Sequence, residues 1–135
     1  MEIEVGDSEG GGIAGLRAKL EALASGADLQ AINSLAGEAC VALVRDGFAT
    51  GTAPDGSAWE ATQRGNSPLR GPTGALADSA SYEASSGGFV LMITDDKAQY
   101  HQEKRPMLPS GSMPPKYLAA IERVYRDYLE QHFAK

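Results

Sequence analysis

Near the start of the chain, Gly6-Asp7-Ser8-Glu9-Gly10 sets a serine between two glycines at the spacing of a nucleophile elbow. In that device a strained strand-to-helix turn exposes the hydroxyl for attack on an acyl carbon. The chemistry also needs a general base and an oxyanion hole supplied by an earlier strand and loop. Only seven residues precede Ser8 here, and the available bases are His101 and His132. A serine hydrolase using Ser8 with His101 is therefore the reading to test and discard. An overlapping stretch, Gly10-Gly11-Gly12-Ile13-Ala14-Gly15, satisfies a dinucleotide-binding glycine pattern. That pattern requires a second strand ending in an acid about 20 residues on, whereas residues 28–46 read as helix. A flexible glycine connection accounts for it better.

Metal chemistry has as little support. Cys40, His101 and His132 are scattered rather than spaced as a ligand set. Asp95-Asp96 is followed by Lys97, which reads as a turn, and His101 lies among polar neighbours suited to local hydrogen bonds. The expectation is a protein with no catalytic residues, no metal and no cofactor.

Composition narrows the class. The chain has 135 residues, 42% hydrophobic and 22% charged, the balance of one soluble globular domain. No apolar run approaches the roughly 18 residues of a membrane span, and the acidic start Met1-Glu2-Ile3-Glu4-Val5 lacks the basic flank of a secretory signal. Synthesis in the cytoplasm is expected. The net charge of −6 and pI near 4.8 disfavour a broad grip on phosphate backbones. The lone Cys40 falls on a helical apolar face and reads as a buried small hydrophobe.

The elements that must position any site follow from periodicity. Residues 2–5 alternate and suit a short edge strand, and residues 1–12 as a whole read as a flexible arm. Ile13, Leu16, Leu20 and Leu23 form a helical stripe. Asp28 is the expected N-cap of a second helix, whose face carries Leu29, Ile32, Leu35, Ala36, Ala39, Cys40 and Leu43, stopping at Asp46-Gly47. Residues 49–73 are turn-rich and read as a long loop containing Trp59. A hairpin follows, with Ala80, Tyr82 and Ala84 alternating, a turn at Ser86-Gly87-Gly88, and the apolar strand Phe89–Thr94. Gln99–Gln102 is expected as a short strand, and 105–114 as an irregular proline-rich segment. Pro115 opens a last helix with the stripe Leu118, Ile121, Tyr125, Tyr128, Leu129 and Phe133. The sum is a single α+β domain: two N-terminal helices, a long loop, a small antiparallel sheet built on a hairpin, and a C-terminal helix packed on the sheet.

An ordered set of short motifs runs through the second half. It comprises Phe48, Pro54-Asp55-Gly56 and Trp59, Pro68-Leu69, Thr73-Gly74-Ala75-Leu76 with Ser79, and Tyr100-His101-Gln102 before a proline-containing stretch and the last helix. This order and spacing resembles the phage virion morphogenesis family, also called tail completion proteins, over roughly residues 30–130. Pro115-Lys116 stands where the family has an arginine before the last helix, and the stretch from Met107 to Met113 is an unusual insertion. The resemblance implies a non-enzymatic structural protein of the virion at the tail end or head–tail junction. It further implies a ring homo-oligomer, hexameric in the family, contacting tail-tube or neck and connector proteins, with DNA only passing through the lumen and no membrane. Phe48, Pro54, Asp55, Gly56, Trp59, Leu69, Thr73, Gly74, Leu76, Tyr100, His101 and Gln102 become the candidate protein-interface residues. A net negative charge would suit a channel wall along which DNA slides. Trp59 has two readings, an interface anchor or a cap on its own core. The competing function is a small acidic regulatory or adaptor protein that binds a protein partner through the 49–73 loop.

Overall fold

The computed structural model describes residues 1–5, 12–59, 75–102, 105–110 and 113–133. In chain order the elements are β1 (Glu2–Val5), α1 (Gly12–Leu23), α2 (Gly26–Thr50), α3 (Ala75–Asp78), β2 (Ala80–Ser85), β3 (Gly88–Ile93), α4 (Ala98–His101) and α5 (Pro115–His132). The α+β class and the sheet built on a hairpin agree with the sequence reading. The three strands are antiparallel in the order β1-β3-β2, with Ile3 and Tyr82 both opposite Leu91.

Alternation divides the sheet into two faces. Phe89, Leu91 and Ile93 point into the core with Ala80, while Ile3, Tyr82 and Ala84 pack against it partly buried. Glu2, Ser81 and Glu83 occupy the other face with Val90 and Met92. The long helix α2 lies along the core face. Its Asn33 side chain donates to the Ser85 carbonyl at 2.8 Å and its Arg45 donates to the Ala80 carbonyl at 3.0 Å, so both ends of β2 are tied to one helix. The lengths match: twelve helical residues rise about 18 Å and five strand steps cover about 17 Å. The C-terminal helix α5 packs on the sheet side of the molecule in the same core, lying most closely against α2 and α1.

Several local expectations change. Helix α2 starts earlier, because Ser25 is its N-cap and Asp28 sits at the third helical position, each accepting from the other's backbone in a capping box. Those bonds, with one from Tyr128, hold the Asp28 carboxyl below its ordinary range. The helix also runs past Asp46-Gly47, because Phe48 is buried and Gly51 supplies the left-handed cap at φ +70°. A Cβ on Gly47 would lie 2.8 Å from the Thr52 carbonyl oxygen, so the chain folds back across this residue rather than ending there. Leu35 and Leu23 are exposed. The buried arc of α2 keeps Ile32, Ala36 and Cys40 of the expected stripe and widens past them to Asn33, Gly37, Val41 and Val44, since this helix faces both β2 and α5.

Residues 99–102 form no strand. They belong to a helical turn, α4, and the sheet's third strand is β1. The first residues are accordingly no arm, since the Met1 carbonyl accepts from Ile93 N–H at 2.9 Å and residues 2–5 are paired with β3. The rest of the expected arm, residues 6–11, lies outside the described residues. Pro115 opens α5 as expected, and Tyr117 joins Ile121, Tyr125 and Leu129 in its buried stripe. Arg126 pairs with Glu122 at 2.6 Å on the open side, one helical turn apart at i, i+4.

Candidate functional site

Pro54-Asp55-Gly56 makes the turn its composition predicts. Gly56 N–H donates to the Ala53 carbonyl at 2.9 Å, with Pro54 at the second position, where its fixed φ is pre-set for such a turn. Thr52 bridges Ala58, and Trp59 N–H donates to the Gly51 carbonyl at 2.8 Å, so residues 51–59 form a small closed loop. The Ser57 hydroxyl and backbone N–H both donate to Asp55 Oδ1, at 2.6 and 2.9 Å, and hold that carboxyl below its ordinary range. Asp55 is therefore an anion fixed at the tip of the loop.

Trp59 settles between its two readings. It is 8% exposed, its ring meets Phe48 edge to face at 5.5 Å and 76°, and its Nε1–H donates to the Pro106 carbonyl at 2.9 Å. The tryptophan caps its own core and ties the 51–59 loop to the proline-rich segment. Gln102 makes the second tie. Its Oε1 accepts from the backbone N–H groups of Met107 and Leu108, at 2.9 and 3.2 Å, and its Nε2 donates to the Leu108 carbonyl at 2.7 Å. One amide side chain thus holds a segment whose prolines cannot form a ladder of their own.

The two ties flank a cavity of about 330 Å³ whose walls include Pro54, Pro106, Pro109, Pro114 and Pro115, with Met113 and with Asp55 at its edge. Proline walls offer no N–H groups, so this hollow suits apolar contact. Sequence reasoning named Pro54, Asp55, Trp59 and Gln102 but missed the proline segment as their partner. The run of four prolines between 106 and 115 was the available signal.

The other candidates divide. Phe48 and Leu76 are buried, Phe48 against the Trp59 ring, and Gly56 takes φ +91° in the turn. Tyr100 and His101 lie in the α4 turn. Leu69, Thr73 and Gly74 lie outside the described residues, as does Ser8. Cys40 is fully buried and its thiol is pushed up to about 12 by burial, the inert state expected of a structural cysteine. Among the described residues there is no group of three or more histidine, cysteine, aspartate or glutamate side chains placed to hold a metal, and no helix is long and apolar enough to cross a membrane.

A comparison of the chain with protein-family models, curated proteins and solved structures finds no match.

Proposed function

We propose that this chain is a non-enzymatic structural component of a tailed-phage virion, a ring-forming tail completion or head–tail connector protein. The observation that carries the reading is the convergence of its separated motifs. Phe48, the Pro54-Asp55-Gly56 turn, Trp59 and Gln102 span more than 50 positions of sequence, yet they brace one surface unit with Pro106, Met107 and Leu108. Such construction serves a protein whose product is a contact surface, because rigid loops lose less conformational entropy on docking. In this reading the apolar proline-walled hollow and its Asp55 edge meet the neighbouring ring or tube protein. The acids Glu2 and Glu83, exposed on the open face of the sheet, supply the negative surface that lets DNA pass.

The test is to locate labelled protein in purified virions by electron microscopy. Density at the tail end or the head–tail junction is the expected result. Absence from the particle would sink the reading and favour an adaptor that works through a soluble protein partner.

A further inference from the structure

We propose that copies of this chain join edge to edge through their sheets, the β1 edge of one copy pairing in parallel with the β2 edge of the next; this rests on the ring reading above. The sheet order places β3 in the centre and leaves β1 and β2 as edges, with no further strand beside either among the described residues. Two hydrogen bonds fix which main-chain groups face outward. Ile93 N–H goes to the Met1 carbonyl and Thr94 N–H to the Ser79 carbonyl, so successive residues of β3 bond alternately to β1 and to β2. By the register, Ser81 and Glu83 turn their main-chain groups to β3, while Ala80, Tyr82 and Ala84 turn theirs outward. On β1 the outward groups belong to Glu2 and Glu4. The Ala80 carbonyl is already taken by Arg45. The open positions are therefore Tyr82 and Ala84 on one side of the sheet and Glu2 and Glu4 on the other.

These two sets match. Both β1 and β2 run antiparallel to β3, so they share a direction, and a rotation that repeats the sheet brings β1 against the neighbour's β2 in parallel. In a parallel ladder one residue bonds to the two residues flanking its partner. Tyr82 N–H then donates to the Glu2 carbonyl, the Tyr82 carbonyl accepts from Glu4 N–H, and Ala84 N–H donates to the Glu4 carbonyl. This register sets Ile3 beside Tyr82, both on the helix-facing side, where a cavity of about 410 Å³ between α2 and β2 is lined by Val41, Ala42 and Tyr82.

The two edges themselves favour this occupant, through main-chain groups rather than charge. The exposed Arg45, held at the Ala80 end of the β2 edge, lies on the helix-facing side, whereas Glu2 of the incoming strand belongs to the open face. Pairing β1 with β1 would stop at two copies and leave β2 open. Pairing β2 with β2 would stop at two copies and leave β1 open. Only the unlike pairing consumes both edges and repeats until a ring closes. The β2 sequence, Ala-Ser-Tyr-Glu-Ala-Ser, also carries neither the proline nor the lysine by which proteins commonly blunt an exposed edge.

The test uses the full chain with cysteines at positions the register sets side by side, Glu2→Cys in one preparation and Ser81→Cys in another. Buried Cys40 leaves no competing exposed thiol among the native residues. Under mild oxidation the mixture is expected to give a disulfide-linked heterodimer, and a chain carrying both substitutions a ladder of linked oligomers. Introducing Ala84→Pro removes an outward N–H that β3 does not use, and is expected to abolish the ladder while circular dichroism still reports the fold. A mixture giving only Ser81→Cys homodimers, or no cross-link, overturns the proposal. Rings seen by negative stain without the cross-link would overturn the edge pairing and leave the ring reading standing. A ladder formed by a protein absent from virions would do the reverse.

Discussion

Trp59 and Cys40 carry the sharpest consequences at the scale of single residues. Replacing Trp59 with phenylalanine keeps an aromatic ring near Phe48 but leaves the buried side of the Pro106 carbonyl without its donor. The expected loss is about 1–3 kcal/mol, read as a lowered urea midpoint with an unchanged slope. An unchanged midpoint would mean the indole N–H contributes nothing. Cys40 and Tyr117 make stability depend on alkaline pH. Burial raises both, so folding favours their neutral forms. The contribution of Cys40 is complete below its unfolded value of 9.0 and is lost as pH rises toward about 12. Tyr117 acts in the same direction above 10.0. Thermal unfolding followed from neutral to alkaline pH should show a plateau and then a fall, and Cys40→Ala should make the fall shallower.

At the scale of elements, the contact between α2 and β2 is the tightest constraint. A Cβ on Gly37 would lie 2.7 and 2.8 Å from Cδ2 and Cγ of Tyr82. Alanine there gains about 1 kcal/mol in helix propensity but forces the helix from the strand at about 1–3 kcal/mol. Gly37→Ala should therefore destabilise, and adding Tyr82→Ala should recover much of the loss in a denaturation cycle. A stabilising Gly37→Ala would show that the strand yields freely. The same element shows where sequence reasoning succeeds. Helix α5 and the hairpin were legible because each buries one face at a clean period, 3.6 for Ile121, Tyr125 and Leu129 and 2 for Phe89, Leu91 and Ile93. Helix α2 was harder, since it packs on two sides and its stripe widens past the Leu35 side that the spacing had favoured. Glycine misled at its end, because Gly47 is a close-approach residue and Gly51 the cap. The Trp59–Pro106 and Gln102–Leu108 ties were illegible, since they join residues 47 and 6 positions apart through a segment with no periodicity.

Over the whole molecule, the charge of −6 sets the terms on which copies meet. Bringing like-charged chains together costs work that salt screens within a Debye length of about 8–10 Å. The edge pairing sets Glu2 of one copy and Glu83 of the next on the same open face, which adds to that cost. Association measured by light scattering should therefore rise with salt, and Glu83→Gln should strengthen it at low salt and flatten the dependence. A fall with salt would show an attraction between copies that outweighs this repulsion. The single indole meanwhile gives the protein an optical gauge of its own. Trp59 is sealed at 8% exposure with its N–H committed to Pro106, so its emission reads a joint between the closed loop and the proline segment. A partner that presses on the proline walls changes the polarity around that ring, and a shift in native fluorescence, with no label attached, reports the moment of docking.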